Sequence, residues 1–277
     1  MSQDTTGSDE IRVEPVPGEP AATATAGGDR LLLVADYHAG YEAGLRYERG
    51  VDVPSRAPDR RERLLSLLER TDPDHLVVLG DLMHSIGDPG GAERGELEVL
   101  FESFPPTLSV TVVKGNHDGK IETWLVDDSE YGDGPADVTV VPGDGIAIDG
   151  IGVCHGHTWP AREVLESEVI CLGHEHPCVR LEDEVGGSRV ERVWLRGRAD
   201  PAAFREHYDT NGEGPGVAGD GRPPSGLIVL PAFNDLVGGT WVNLPDQSFL
   251  APFLPDGLSD GEAYLLDGTR LGPYDAI

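Results

Sequence analysis

"SVTVVKGNHDGK", residues 109 to 120, joins two kinds of chemistry. Ser109 to Val113 is β-branched and apolar and reads as a buried strand that stops at Gly115. Directly after it stand an asparagine, a histidine and an aspartate, in a chain that holds only nine histidines. An unpaired polar group in a core costs free energy, so polar side chains gathered where a buried strand ends point to a site.

The same pattern recurs outward from this stretch. "LLLVAD" (31–36) and "HLVVLGD" (75–81) are further strand candidates. Between them "PDRRERLLSLLERTDPD" (58–74) carries Pro in its first turn and Leu64, Leu65, Leu67 and Leu68 on one helical face, and "ERGELEVLFESF" (93–104) is a second helix. Strand, helix, strand, helix, strand predicts βαβ units with a parallel sheet and right-handed crossovers. Downstream, "VTVVPG", "GIAIDG", "IGVCHG", "VICLGHEHP", "RVERVWLRGR" and "GLIVLPAF" read as strands joined by tight Gly and Pro turns with little helix between, which predicts a more antiparallel second sheet. The expected fold class is α/β, with two mixed β-sheets packed face to face and helices outside.

Residues 1–29 are acidic, rich in Pro, Gly, Ala and Thr, and lack an apolar period, so they read as a disordered lead-in; residues 30–277 read as a single domain. A Gly- and Pro-rich stretch at 211–226 reads as a flexible surface insertion. No basic-then-apolar leader opens the chain and no run of eighteen apolar residues occurs, so a cytoplasmic protein without membrane contact is expected. Cys154, Cys171 and Cys178 are odd in number and form no CxxC pair, which argues against a disulfide framework and for buried packing.

Charge is the most unusual bulk feature. Acidic residues outnumber basic ones 50 to 21, for a net of −29, and Lys114 and Lys120 are the only lysines. Such a surface repels nucleic acid and acidic membranes in dilute buffer. In molar salt, where the Debye length is about 3 Å, that long reach is lost. The acidic residues are spread along the chain rather than gathered in a tail, so the reading is adaptation to a salty cytosol.

Five polar clusters fall at or just past the ends of apolar strands: "ADYH" (Asp36, His38), "LGDLMH" (Asp81, His84), "KGNHD" (Asn116, His117, Asp118), "CHGH" (His155, His157) and "LGHEHP" (His174, His176). They hold seven of the nine histidines, and open α/β sheets place their sites outside the carboxyl ends of strands. His75 and His207 lie apart and read as ordinary structural residues. Imidazole, carboxylate and amide oxygen together suit Mn²⁺, Fe or Zn²⁺. At period two, both members of a D-x-H or H-x-H pair can point the same way and grip one ion. The ligands are too many for one ion; a pair bridged by a carboxylate would use them all and clamp the attacking and leaving oxygens of a displacement at phosphorus.

The ordered set D-x-H, G-D, G-N-H-D, H and G-H-x-H resembles the calcineurin-like metallophosphoesterase superfamily. "GLIVLPAFNDLVGGTWVN" (226–243), with "ADYHAGYE" and "GDLMHS", is similar to archaeal phosphoesterases related to the bacterial DNA-ligase-associated ones, and the charge adds a halophilic source. The resemblance implies a four-layer sandwich and two divalent ions, Mn²⁺ first. It implies that Asp36, His38 and His176 hold one ion, that Asn116, His155 and His174 hold the other, and that Asp81 bridges them. His117 would protonate the leaving oxygen, with Asp118 orienting it. The chain departs from many relatives in having Leu82, Met83 and His84 after G-D where an arginine contact to phosphate is usual, which makes His84 the substitute and favours a phosphodiester. His157 is expected behind the metal ligands or facing substrate. Arg192, Trp194, Arg196 and Arg198 share a parity on one strand, a face that could track nucleic acid. The substrate is then a phosphodiester, with DNA and a small diester both open; a phosphatase and a non-catalytic metal-binding scaffold are the alternatives, and a homodimer is left open.

Overall fold

In the computed structural model the described residues are 12–86, 90–125, 135, 137–183, 185–210, 226–245 and 247–277. Residues 1–11 of the expected lead-in and 211–225 of the expected insertion lie outside them.

The first sheet runs in the order β1 (Val13–Pro15), β2 (Ala21–Ala26), β3 (Asp29–Val34), β4 (His75–Leu79), β5 (Ser109–Val113), β6 (Asp137–Val141). From β3 to β6 all pairs are parallel, as the crossovers require, and α2 (Ala57–Thr71) and α3 (Gly91–Glu102) fill the first two connections. A shorter helix, α1 (Tyr41–Arg49), precedes α2, and α4 (Glu122–Leu125) follows β5. The second sheet takes in β7 (Ile146–Ile148), β8 (Ile151–Cys154), β9 (Val169–Leu172), β10 (Cys178–Glu182), β11 (Ser188–Ala199), β12 (Gly226–Val229), β13 (Leu258–Leu265) and β14 (Arg270–Pro273), with α5 (Arg162–Leu165) and α6 (Pro201–Thr210) beside it.

Period-two alternation builds the layers. Leu32, Val34, Leu76 and Val78 face the helices together with Leu64, Leu67 and Phe101, whereas Leu31, Leu33, Val77 and Leu79 face the opposite sheet. Across the gap, Ile151, Val153, Cys171 and Ile228 meet them, and Ile170, Leu172, Val193 and Leu195 turn outward onto Phe204 of α6. The result is a mixed α/β sandwich of two packed sheets with helices on the outer faces, as expected.

Three expectations change. Residues from Val13 onward are not a lead-in: β1 and β2 extend the first sheet, and β2 pairs antiparallel with β3 in a hairpin whose tip, Gly27 and Gly28, has φ of 59° and 99°. Two central positive-φ residues are what a tight two-residue hairpin needs, and Gly-Gly supplies them. Secondly, "VTVVPG" belongs to the first sheet, parallel to β5. Thirdly, the second sheet is not mainly antiparallel at its centre, because β8, β9 and β12 run parallel.

Candidate metal centre

All five polar clusters lie in loops that leave parallel strands at their C-terminal ends: three leave β3, β4 and β5, and two leave β8 and β9. Strand alternation is not what aims the pairs. β3 stops at Val34 and β9 at Leu172, and the ligand candidates beyond them turn through left-handed backbone: φ is 58° at Asp36, 50° at His38, 50° at Asp81, 69° at His174 and 45° at His176. Each such non-glycine residue costs roughly 1–2 kcal/mol. Cross-loop hydrogen bonds offset the cost, from Asp36 N to Gly80 O (3.1 Å), His38 N to Asp81 O (2.9 Å) and His174 N to Asp36 Oδ2 (3.1 Å). The motif glycines are steric necessities. Gly80 has φ 84° and a Cβ there would overlap the His155 ring, while a Cβ on Gly115 would overlap Asp81.

The side chains form two adjoining clusters whose donor atoms lie within 4.8 Å of one another, Asp36/His38/His176 and Asp81/His155/His174. Asp36 Oδ1 is 3.3 Å from His176 Nε2, and His38 Nε2 is 3.4 Å from His176 Nε2. Asp81 Oδ2 lies 3.5 Å from His155 Nε2 and 3.7 Å from His38 Nε2, so it stands between the two groups. Asn116 Oδ1 joins the second at 3.2 Å from His155 Nε2.

This donor set fits divalent ions. Asp36 and Asp81 are 0% and 2% exposed, and their ion-pair partners among the described residues are all imidazoles. Two buried carboxylates without a Lys or Arg partner, beside ring nitrogens that point at each other, match a site for a cation that accepts mixed nitrogen and oxygen ligands. Two imidazoles are held from behind, as ligating histidines usually are: His155 Nδ1 meets Leu79 O at 2.8 Å and His176 Nδ1 meets Gly238 O at 2.8 Å. A carbonyl only accepts, so both Nδ1 atoms carry the proton and both Nε2 atoms face the cluster.

Electrostatics sort the imidazoles. Burial pushes His38 down to about 3 and His174 down to about 4, so both are neutral and donor-ready at physiological pH. Burial acts the same way on His155, but the hydrogen bond and charge of Asp81 outweigh it and hold His155 at about 9. His176 is likewise raised, Asp36 overcoming the effect of burial. In the metal-free protein His155 therefore carries a second proton, on Nε2, below about pH 9, and a metal must displace it. Metal affinity is expected to climb with pH up to that value, with proton release on adding Mn²⁺ in weak buffer at pH 7. Affinity that stays flat from pH 6 to 9 would remove these imidazoles from the ligand set.

His117 sits beside the clusters, with Nε2 4.0 Å from Asp81 Oδ2 and its backbone N–H donating to Asp81 Oδ1 at 2.9 Å. Its Nδ1 contacts the carbonyl of His84, not Asp118. The expected orienting role of Asp118 is corrected on this point: its oxygens accept from Gly115 N (2.7 Å) and Met83 N (2.9 Å), tying the loop after β5 to the loop after β4. Asp118 is 0% exposed with each oxygen turned to a backbone amide, and the His117 ring takes the His84 carbonyl instead. The His84 ring stacks on His117 at 5.5 Å with an interplanar angle of 12°. His157 is half-buried, 5.3 Å from His155 between ring centres.

The expected basic and aromatic face is also corrected. Trp194 is 1% exposed and packs between the sheets, because its parity on β11 is the inward one. Arg192 Nη1 donates to Ala232 O (2.8 Å), Arg196 reaches Val13 O (3.5 Å), and Arg198, past a bulge in the β11–β13 pairing, pairs with Asp260. No base can stack on Trp194.

Three supporting residues escaped the sequence reading. Glu93 of α3 accepts from His84 N (2.8 Å) and Gly90 N (3.0 Å), fixing the loop under His84. Glu175, between the two histidines of "GHEH", points away from them and accepts from Leu250 N (2.8 Å), Ala251 N (2.6 Å) and Thr240 Oγ1 (2.8 Å). Asn234, 0% exposed, donates its backbone N–H to Asp36 O (3.2 Å) and its amide to His38 O (3.4 Å). The partners of Glu175 and Asn234 lie far away in sequence, whereas Glu93 reaches back only to Gly90 and His84; only their position beside a histidine motif or a buried apolar run marked them.

A sandwich with its polar loops gathered in this way is the architecture of a metal-dependent phosphoester hydrolase. The chain belongs to the calcineurin-like phosphoesterase family, whose sequence profile matches residues 29–177. Among solved structures it is similar to the nuclease MPE of Pseudomonas putida, with 20% identity and a TM-score of 0.52 over 94% of this chain and 100% of that one, a likeness of fold. Yfce, a phosphoesterase from E. coli, aligns over 55% of this chain and 73% of its own at 18% identity and a TM-score of 0.33. No curated protein matches the chain. Among the described residues no helix is long and apolar enough to cross a membrane.

Proposed function

We propose that this chain is a dinuclear, Mn²⁺-dependent phosphodiesterase of the archaeal branch related to the DNA-ligase-associated enzymes, working on DNA in a salt-rich cytoplasm. The observation that carries the dinuclear reading is the place of Asp81, whose Oδ2 is 3.5 Å from a histidine of one cluster and 3.7 Å from a histidine of the other. Asp36, His38 and His176 would hold one ion, Asn116, His155 and His174 the second, and Asp81 both. When bound, the ions neutralise charge building on the phosphoryl oxygens and activate the attacking water.

The protein's own groups do the rest. His117 Nε2 faces the centre and carries a proton only as the imidazolium, because Nδ1–H is committed to the His84 carbonyl. In that form it protonates the departing oxygen. His84, stacked on it and held by Glu93, takes the place of the usual arginine. A site with the His84 imidazole where a fork of guanidinium donors is usual grips a dianionic monoester less firmly, which favours the singly charged diester. A small diester is the second reading, favoured by the net charge of −29.

Hydrolysis of linear DNA and of a chromogenic diester, both with Mn²⁺ in molar KCl, separates these. Cleavage of DNA at a comparable or higher kcat/KM supports the nuclease, cleavage of the small diester alone supports the second reading, and cleavage of neither with two ions bound leaves the scaffold. The salt adaptation has its own check: screening weakens self-repulsion, so the melting temperature should rise between low and molar KCl. A flat or falling curve would reject it.

A further inference from the structure

Beside the metal centre opens a cleft of about 430 Å³ lined by Lys114, Gly115, Glu122, Pro142, Gly143 and His157, with Val140 and Val141 completing the wall. It shares residues with the site on one side only. Gly115 packs on Asp81, and His157 stands between the cleft and the rings of His155 and His174, whose centres are 5.3 Å and 6.1 Å from its own. Glycine is required at Gly143, since a Cβ there would overlap His157 and the Lys114 carbonyl.

The lining decides the ligand. Val140, Val141 and Pro142 give an apolar wall. Lys114 Nζ, one of the two lysine ammoniums in the chain, is already neutralised by Glu122, with contacts of 2.9 Å and 3.2 Å to its two oxygens. A second phosphate would meet that carboxylate as well as the ammonium, so an anion gains little here. A neutral ring fits better. The ammonium has three donors and spends two on Glu122, and the carboxylate has lone pairs to spare, so the rim offers a donor and an acceptor side by side. That is the complement of a ring edge carrying adjacent C=O and N–H groups. The volume lies in the range of small-molecule sites.

We propose that this cleft is a nucleobase subsite: it takes an uncharged, planar heterocycle with a lactam edge, as in uracil, thymine or guanine, belonging to a nucleoside attached to the phosphorus held at the metal centre. The assignment rests on the phosphodiesterase reading above and adds a preference that the metal centre alone does not give. Lys114 and Glu122 read the ring edge, Val140 and Pro142 cover a face, and His157 separates the ring from the reacting phosphorus.

The test uses the full chain with and without Mn²⁺. 5-Fluorouridine, which has no phosphate, is followed by its fluorine resonance and competed with uridine, N3-methyluridine or inorganic phosphate. Saturable binding displaced by uridine, at least about tenfold less by N3-methyluridine and not by phosphate in the metal-free chain, is expected, the factor being that of a hydrogen bond to a charged group. Val140→Trp, which fills the cleft from edge strand β6, should weaken binding about tenfold or more. Glu122→Gln, at a half-exposed position that leaves the core untouched, should erase the discrimination against N3-methyluridine and let phosphate compete for the freed Lys114. With Mn²⁺, a nucleotidyl diester should be hydrolysed at least about tenfold more efficiently than a methyl diester with the same leaving group, and Val140→Trp should level the two. No nucleoside binding by the wild type, or equal binding by wild type and both variants, overturns the subsite even if diesters are hydrolysed. Nucleoside binding that follows the variants while no diester is cleaved upholds the cleft and sinks the phosphodiesterase reading instead.

Discussion

Asp81→Asn is expected to empty the centre of both ions and to lower turnover at least about 10³-fold, beyond the 10- to 100-fold that follows loss of a group merely supporting a metal ligand. The reason is its reach. Asp81 Oδ2 is within 4.0 Å of imidazole nitrogens of His38, His117 and His155, while Oδ1 accepts the backbone N–H of His117. An amide keeps the shape and one acceptor but removes the charge that balances these rings in the metal-free protein and would face both ions in the loaded one. The pH dependence follows from the same carboxylate. Burial works to raise its pKa, but the hydrogen bond and charge of His155, with His38 and His117, overcome this and hold it below the ordinary carboxylate value. A depressed pKa means stabilisation that is present above the unfolded value of about 4 and is lost as pH falls through the folded one. The wild-type metal-free chain should therefore lose stability below about pH 4 in a step that Asp81→Asn no longer shows. Elemental analysis and chemical denaturation between pH 2 and 7 check both halves. A variant that keeps two ions and near-normal turnover would rule out the bridge.

How far the sequence discloses such a site depends on which forces act locally. β3, β4 and β5 are runs of Leu and Val whose burial on both faces leaves no alternation, and the polar residues just after them stand out for that reason. β1 and β2 are hidden because Ala and Thr carry little hydrophobic signal, and their order comes from pairing with β3; the Gly27-Gly28 tip was the one local sign. The parity of Arg192, Trp194 and Arg196 was legible, but which face of β11 meets the other sheet is a tertiary fact, and it reverses the meaning of Trp194 from platform to core. The D-x-H and H-x-H pairs converge by left-handed turns, which Asp tolerates better than most residues and which a two-residue period does not describe. The resemblance implied that Asp118 orients His117, yet the tight turn from Gly115 sends its carboxylate to backbone amides and leaves the His84 carbonyl as the partner.

That last contact gives the His117→Asn experiment its sharpest form. With Nδ1–H donating to a carbonyl, neutral His117 presents a bare Nε2 to the centre, which can bind a cation or accept a proton but cannot give one. As the imidazolium it is a donor toward the leaving oxygen. His117 also lies in a third cluster, with His38 and His84, whose nitrogens are within 4.8 Å of one another, so a ligand role has to be tested against the acid role. If it is the acid, His117→Asn should leave metal content and substrate affinity nearly unchanged while turnover on DNA falls on the order of 10²- to 10⁴-fold, the usual worth of general acid catalysis. The loss should scale with the need for protonation. A diester expelling a nitrophenolate departs readily without a proton and should lose far less than one expelling an alkoxide. Equal losses on both would assign His117 to positioning, and loss of an ion would make it a ligand. Either result would also move His84, because its carbonyl fixes the His117 tautomer and its ring covers one face of the same imidazole. His84→Ala should then reproduce part of the leaving-group dependence only if His117 is the acid, since the ring stack restrains the orientation of Nε2 while the backbone contact survives the substitution.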